Sequence, residues 1–212
     1  MRIIAMDPGT SSFAVAVVKT KLVEGKLRFK VEGTSMLDPQ RLVNDMRDLR
    51  TQAQTFLEYV KPMMESGPVD AFIIERFQAR GGKGPTIESI SSMIAALAIT
   101  YPDIPVVTFI TAGVWKNAYN LFGDLKELYE DHKELRRDKT IPHIEIHQLD
   151  ACLMALYQAS KHYDVKPFDY LTSLEIELKM LRVLDSSKPI TVLPERLPKI
   201  KKVKKKAKRK AK

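Results

Sequence analysis

The chain has 212 residues, 44% of them hydrophobic, which is enough for one substantial domain and an appendage but not for two large domains. Its single cysteine, Cys152, excludes an internal disulfide framework and suits a reducing compartment. The formal net charge of +9 is unevenly distributed, because residues 196–212 carry eleven Lys and Arg residues and no acid. The rest of the chain has 24 basic and 26 acidic residues. We expect 196–212 to be a disordered tail that binds nucleic acid, with a merely solubilising tail as the alternative.

The first part of the chain predicts three strands in succession. RIIAM at 2–6 is a short apolar run, FAVAVVKT at 13–20 follows a turn, and LRFKVEGTSM at 27–36 alternates apolar and charged residues. Short links between them predict an antiparallel meander. Asp38-Pro39 then predicts a helix start, and the helix would run to about Met64. Its apolar stripe recurs at steps of three and four: Leu42, Met46, Leu49, Ala53, Phe56 and Val60.

The remainder predicts strands that alternate with helices. In chain order we expect a strand at 69–75, a helix at 85–100, a strand at 104–110, a helix from about Thr111 and a helix opened by Pro142. The last helix has an apolar stripe at Ile146, Leu149, Leu153 and Leu156. A charged stretch at 124–141 reads as an insertion, and 165–195 as a helical extension.

This order of elements predicts an α/β protein with the ribonuclease H-like fold. That fold has a mixed five-stranded sheet, with three antiparallel strands followed by parallel strands, and helices on both faces. The predicted domain spans 1–164, followed by the extension and the tail. The first and fourth strands lie side by side in this fold, so Asp7 and Glu75 should face one another.

Asp7 has two interpretations. It precedes Pro-Gly-Thr-Ser-Ser, so it can be a turn-forming acid. Alternatively it faces Glu75, and two close carboxylates need a cation between them or a proton on one of them. Oxygen ligands suit Mg²⁺ or Mn²⁺, and two ions roughly 4 Å apart can promote phosphodiester cleavage. A third acid, Asp150, shares a helix face with His143, His147 and Met154, whereas Glu145 is badly placed beside His147 to join it.

Three stretches together resemble the RuvC-like Holliday junction resolvases of the ribonuclease H-like superfamily. They are MDPGTSS at 6–12, IIERF at 73–77 and HQLDA at 147–151, and the resemblance covers about residues 1–163. It implies a homodimeric, Mg²⁺-dependent endonuclease with two ions per site that cuts both opposed strands of a four-way DNA junction. It also implies that Asp7, Glu75 and Asp150 are metal ligands, with His147 as a fourth ligand or as the group that takes the proton of the attacking water.

The resemblance also indicates where DNA would bind. The loop RFQARGGKGP at 76–85 offers three cations for phosphates, and TAGVWKN at 111–117 offers a fourth: Arg76, Arg80, Lys83 and Lys116. Phe77 would sit at the junction centre, although a core role at the strand end is the alternative. The tail and the insertion are more typical of a phage or viral member than of a compact bacterial one.

Dimerisation and location follow from the same interpretation. The helix at 85–100 carries small residues that would allow close pairing with a second copy, although a monomer's core could use them equally: Ser91, Ser92, Ala95 and Ala96. No segment approaches the roughly 20 apolar residues of a membrane span. We therefore expect a cytoplasmic protein on nucleoid or host-cell DNA, and a nuclear one only in a eukaryotic host.

Other functions fit less well. A broader branched-DNA or flap endonuclease of the same fold stays open, as does a non-catalytic nucleic-acid-binding member. The acids argue against the latter, because carboxylates that face phosphates weaken binding without a metal. An ATPase of the actin and sugar-kinase type needs two such domains. HIEIH at 143–147 fails as a zinc protease motif because its Glu comes one place late.

Overall fold

The computed structural model describes residues 1–8, 13–37, 49–76, 84–119, 129–130 and 145–165. These residues form five strands and four helices within that part of the chain. The strands are β1 (Arg2–Pro8), β2 (Phe13–Val23), β3 (Lys26–Leu37), β4 (Ala71–Glu75) and β5 (Val107–Ile110). The helices are α1 (Leu49–Glu65), α2 (Gly84–Thr100), α3 (Ala112–Ala118) and α4 (Ile146–Tyr163).

The strands form one sheet in the order β3-β2-β1-β4-β5. β2 is antiparallel to both β1 and β3, whereas β4 is parallel to β1 and β5 is parallel to β4. Every residue of β1 is buried, as expected for a central strand that is covered on both faces. The predicted mixed sheet, with an antiparallel meander followed by parallel strands, is confirmed.

Helices cover both faces of the sheet. Side chains alternate between the faces along a strand, so Ile4 and Met6 of β1 pack in one cluster with α1 and α2. Ile3 and Ala5 pack in a second cluster with Trp115 of α3 and the buried face of α4. Asp7 continues the second set and therefore lies on the α4 face of the sheet.

The register between β1 and β4 places two acids at one edge of the sheet. The paired residues run from Ile3 with Ala71 to Met6 with Ile74. Asp7 and Glu75 are the next residue in each strand, and both fall on the α4 face by the same alternation. The prediction that the first and fourth strands are neighbours is confirmed.

Several predicted boundaries were wrong at the strand ends. β4 begins at Ala71 rather than at residue 69, and β5 begins at Val107 rather than at residue 104. Pro105 has no N–H for a ladder hydrogen bond, which explains the late start of β5. β2 and β3 instead run further than predicted, because Glu24 and Gly25 both adopt positive φ, at 53° and 71°. That conformation makes a two-residue turn that keeps the strands paired as far as Val23 and Lys26.

The stripe predicted for the first helix is right only in its second half. Phe56 and Val60 are fully buried, but Leu49 is 53% exposed and Ala53 is half-buried. Tyr59 and Met63 complete the buried face of α1 instead. The predicted start at Asp38-Pro39, with Leu42 and Met46, lies outside the described residues.

The start of the last helix was also predicted wrongly. α4 begins at Ile146, because Glu145 has an extended backbone and acts as its N-cap, so the helix does not continue back to Pro142. The Glu145 side chain accepts a hydrogen bond from the backbone of Gln148, and the Gln148 side chain accepts one from Glu145 N at 2.8 Å. Glu145 is therefore a helix cap. The predicted stripe is confirmed at Leu149, Leu153 and Leu156, which are buried, whereas Ile146 is only half-buried.

Several predicted segments lie largely or wholly outside the described part of the chain. The insertion at 124–141 is described only at Tyr129 and Glu130, and the extension at 165–195 only at Val165. The tail at 196–212 is not described at all. Among the described helices, none combines the length and the apolar character needed to cross a membrane.

Candidate active site

The side chains of the predicted acidic set gather at the carboxyl ends of β1 and β4. Asp7 and Glu75 come from those strand ends, and His147 and Asp150 come from the first two turns of α4, which docks on the same face. Asp7 is 6% exposed and Asp150 is 8% exposed. The four groups are close enough for Asp7, Glu75 and Asp150 each to affect the pKa of His147. The predicted convergence of three separate elements is present.

Asp7 and His147 form the one direct contact between two members of the set. Nδ1 of His147 lies 2.7 Å from Oδ2 of Asp7. This hydrogen bond raises the pKa of His147, and burial of the ring opposes it. In a neutral His147 that donates Nδ1–H to Asp7, Nε2 is left as the acceptor atom.

Glu75 is held by the buried indole of Trp115. Nε1 of Trp115 donates a hydrogen bond of 2.8 Å to Oε2 of Glu75. Burial raises the pKa of Glu75, and the negative charges of Asp7 and Asp150 raise it further, although the Trp115 hydrogen bond acts in the opposite direction. Glu75 therefore carries its negative charge at a free-energy cost.

Asp150 has two partners, one on each oxygen. The Tyr129 hydroxyl donates to Oδ1 at 2.7 Å, and Nζ of Lys116 lies 3.3 Å from Oδ2. Burial nevertheless raises the pKa of Asp150 above its ordinary value. Burial and the neighbouring Asp150 charge also raise the pKa of Tyr129, so this hydroxyl stays a donor.

Lys116 lies inside the acidic set. Its amino group pairs with Asp150 and also lies 4.8 Å from the centre of the Trp115 ring and 5.7 Å from the centre of the Tyr129 ring. The side chain is 29% exposed. Lys116 therefore offsets part of the negative charge, and the predicted phosphate contact stays a prediction.

The donor set can be tested for its fit to a divalent metal. Within the described residues, no three His, Cys, Asp or Glu side chains already stand close enough together to hold an ion. The chemistry of the donors still fits a hard cation, because two buried carboxylates from β1 and α4 and a half-buried one from β4 lie close together, and two of the three have raised pKa values. Asp7, Glu75 and Asp150 are the residues that would hold such an ion, with His147 beside Asp7.

The predicted DNA contacts are only partly described. Arg76 is exposed directly after Glu75, its N–H donates to the carbonyl of Ile110, and it borders a cleft of about 590 Å³ between α2 and β5. Phe77, Arg80 and Lys83 lie outside the described residues, as does His143.

Two residues of the site were not predicted in their roles. Trp115 is the only tryptophan of the chain and precedes Lys116, which was a usable sequence signal for a special position. Tyr129 falls in a strongly charged stretch and had no comparable signal. Both were missed because their contacts with Glu75 and Asp150 join residues 40 and 21 positions apart.

Comparisons with known proteins support the fold. No protein-family model matches the sequence, and no curated protein matches it. Among solved structures, Thermus thermophilus RuvC is 17% identical and aligns over 78% of this chain and 98% of its own, with a TM-score of 0.52. T. thermophilus RuvC in complex with a Holliday junction substrate is 16% identical over 75% and 93%, with a TM-score of 0.49. The yeast mitochondrial Holliday junction resolvase Ydc2 is 13% identical over 87% and 83%, also at 0.49. The argument from likeness uses only the first of these structures, Thermus thermophilus RuvC. At the level of the fold it confirms the resemblance carried by the three motifs, and this chain has the fold of RuvC.

Proposed function

We propose that this protein is a Mg²⁺-dependent, structure-selective endonuclease that resolves four-way DNA junctions by paired phosphodiester hydrolysis. Mn²⁺ would substitute for Mg²⁺. The observation that carries the proposal is the gathering of Asp7, Glu75, His147 and Asp150 at one edge of a RuvC-like sheet. The four-way junction as substrate comes from the motif resemblance.

The electrostatics of the set support a metal-binding role. Burial and mutual repulsion raise the pKa values of Glu75 and Asp150, so the protein holds more negative charge there than its own groups neutralise. Carboxylates in a solvated surface cluster would not have pKa values raised by burial. Bound divalent ions would activate a water molecule and stabilise the leaving oxygen of the phosphodiester.

The side chains divide the remaining work. Asp7, Glu75 and Asp150 bind the ions, and Trp115 fixes one oxygen of Glu75. Asp7 holds the His147 ring through Nδ1, which leaves Nε2 as an acceptor for the proton of the attacking water. The same contact leaves Nε2 able to bind an ion, so the alternative role of His147 as a metal ligand stays open.

The surface of α2 supports the homodimer. Ser91 and Ala95 are exposed and Ser92 and Ala96 are half-buried, so the monomer's core makes little use of these small residues. Their exposed face is compatible with close packing against the same helix of a second copy, which would place two active sites on one junction. Sedimentation velocity on the wild type and on Ala95→Arg tests the pairing. A wild type that remains monomeric at the concentrations used for cleavage would remove the dimer from the proposal.

The deciding experiment compares labelled four-way, flap and linear duplex DNA in the presence of Mg²⁺. We expect cleavage of the four-way junction in both opposed strands, weaker cleavage of flaps and none of the duplex. Asp7→Asn should abolish cleavage, whereas Glu65→Gln should leave it unchanged, because Glu65 is an exposed acid on α1. Activity that survives in Asp7→Asn would remove the site assignment.

The same experiment separates the two alternative functions. Equal cutting of flaps and junctions would favour a broader branched-DNA endonuclease with the same site. Tight binding of junctions without cleavage in Mg²⁺ or Mn²⁺ would favour a non-catalytic nucleic-acid-binding protein.

A further inference from the structure

A two-stranded ribbon projects from the end of the sheet opposite the acidic site. Pairing between β1 and β2 ends at Arg2 with Lys19, whereas pairing between β2 and β3 continues to Val23 with Lys26. The segments 20–23 and 26–29 therefore pair with each other beyond the last rung of β1. The ribbon is closed by the tight turn at Glu24 and Gly25.

Four cations occupy one face of this ribbon and its base. Lys19 is directly opposite Lys30, and Lys21 is directly opposite Arg28. Residues two apart on a strand share a face, so all four side chains lie on the same side of the sheet. All four are exposed. We call this group, Lys19, Lys21, Arg28 and Lys30, the basic face.

Like charges directly opposite one another destabilise a pair of strands, and this ribbon has two such pairs in succession. The two described acids nearest to them, Glu32 and Asp70, each have another partner, and Asp70 accepts a hydrogen bond from the backbone N–H of Arg2 at 2.6 Å. Lys19 pairs with Glu32 at 2.9 Å, but Glu32 also binds Arg2 at 2.8 Å. Lys21, Arg28 and Lys30 have no ion pair with any residue in the described ranges. The four line a cleft of about 490 Å³. The arrangement is unfavourable for the free protein and favourable for a polyanion.

We propose that the basic face binds the phosphate backbone of duplex DNA, on an arm of the branched substrate away from the branch point. This inference rests on the proposed function. Duplex DNA fits because it presents a continuous row of phosphates. The opposite face of the ribbon packs on the core through Thr20 and Leu27, so the basic face is held as a fixed surface against which the DNA backbone can lie. The contact is to phosphate, so it adds affinity and orients the arm without reading sequence.

The position of the basic face sets a length requirement for the arm. Asp7 pairs with Ala14 of β2, and Lys21 is seven residues further along that strand. At about 3.3 Å per residue, the basic face lies roughly 23 Å from the acidic site. The acids are on the α4 face and the basic face is on the other side, so this is a lower limit. At 3.4 Å per base pair, an arm shorter than about 7 base pairs cannot span it.

The test measures binding in EDTA, where cleavage is absent. We compare Lys21→Gln/Arg28→Gln with a matched control, Lys61→Gln/Lys161→Gln, which removes two exposed cations from α1 and α4. Four-way junctions with arms of about 5 and about 15 base pairs bracket the predicted reach. We expect the basic-face variant to lose about tenfold in affinity for long arms and to match the wild type on short arms. Its salt slope on long arms should fall by about 2. The control should change neither.

Three further readouts make the proposal falsifiable. The melting temperature of the basic-face variant should equal or exceed that of the wild type, because two opposed cations are removed. Linear duplex of about 20 base pairs should show the same loss of affinity, and this result would stand even if the protein failed to cleave junctions. Equal losses on short and long arms, or an unchanged salt slope, would overturn the proposal. So would an unchanged affinity for DNA combined with lost binding to vesicles of phosphatidylserine and phosphatidylcholine.

Discussion

The two ends of β1 each bury a charge, and the protein treats the two charges differently. Arg2 is 3% exposed and Asp7 is 6% exposed. Arg2 donates to Glu32 at 2.8 Å, to the Met63 carbonyl at 2.8 Å and to the Gly67 carbonyl at 3.0 Å. Asp7 contacts His147, but its other charged neighbours in the described structure include two more acids, Glu75 and Asp150.

The charge of Arg2 is compensated within the protein, whereas that of Asp7 is compensated only in part. Burying a charge is unfavourable unless partners of opposite charge or good hydrogen bonds compensate it. At Arg2 the protein supplies that compensation from β3 and the end of α1, so the charge helps to hold the fold. At Asp7 it places like charges together, His147 and Lys116 compensate them only in part, and the divalent ion of the proposed function would supply the rest.

The largest expected effect comes from substituting Glu75 in the acidic set. Glu75→Gln keeps an oxygen that can accept the Trp115 hydrogen bond but removes a half-buried negative charge. We expect junction cleavage to fall at least about 1000-fold, or about 4 kcal/mol of transition-state stabilisation. The free energy of unfolding should stay constant or rise, because repulsion from Asp7 and Asp150 is relieved. Single-turnover cleavage and urea unfolding measure the two effects.

A metal titration provides the control for that variant. Mg²⁺ at about ten times its dissociation constant should stabilise the wild type by about 1.4 kcal/mol and raise its melting temperature. Glu75→Gln should show a smaller rise at the same concentration. A variant that cleaves as fast as the wild type, or that responds to Mg²⁺ in the same way, would contradict the assignment of Glu75.

The fold was predictable from the sequence because its signals are local. The alternation in β3, the continuous apolar run of β4 and the stripe of α4 each reflect which side chains are buried. The proximity of Asp7, Glu75 and Asp150 was predictable, because the topology of the fold brings two strand ends and the start of a helix together. The exposure of Leu49 was not predictable, because it depends on what covers the first turn of α1. The start of α4 was not predictable either, because it depends on the capping interaction between Glu145 and Gln148.

The partners of the acids were the unpredictable part of the site. Lys116 reads as an ordinary DNA-facing cation, and only the fold shows its amino group 3.3 Å from Asp150. Trp115 and Tyr129 likewise act through contacts over long sequence separations, which no periodicity encodes. A single sequence shows which residues can do chemistry more readily than it shows what holds them in place.

The second-largest expected effect is at Arg2, at the opposite end of β1 from Asp7. Glu32→Gln removes the anion that pairs with Arg2 and Lys19. The Arg2 guanidinium then keeps only neutral acceptors among the described residues, so we expect a loss of about 2 kcal/mol in the free energy of unfolding at pH 7. Junction cleavage per folded molecule should not change. Urea unfolding measures the loss, and Glu24→Gln, which alters an exposed acid in the hairpin turn, is the control.

The pH dependence of that loss has a defined sign. Burial acts to raise the pKa of Glu32, but hydrogen bonds and charge attraction from Arg2 and Lys19 lower it overall. A lowered folded-state pKa adds stability above the ordinary value of 4.5, and this stability disappears as pH falls through the folded-state pKa. The gap between wild type and Glu32→Gln should therefore close in acid. A gap that stays constant down to pH 3 would indicate a packing effect.

The smallest expected effect concerns Trp115, a core residue that also contacts the acidic site. Trp115 is fully buried in the core, yet its Nε1 donates to Glu75. Trp115→Phe keeps an aromatic ring for the edge contact with Tyr119 and removes the donor. We expect a rate about tenfold lower, equivalent to about 1.4 kcal/mol, because Glu75 loses the hydrogen bond that orients its carboxylate.

The Mg²⁺ dependence of cleavage distinguishes positioning from general destabilisation. If Trp115 orients Glu75, the Mg²⁺ concentration for half-maximal cleavage should rise several-fold in Trp115→Phe, since a carboxylate free to rotate binds an ion less well. Phe56→Leu is the matched control, because Phe56 is equally buried but packs on the opposite face of the sheet with Phe13. It should lower the free energy of unfolding by about 1 kcal/mol and leave the Mg²⁺ dependence unchanged. Equal shifts in both variants would mean that Trp115 contributes packing alone, and that Glu75 is held by the strand end without help from the indole.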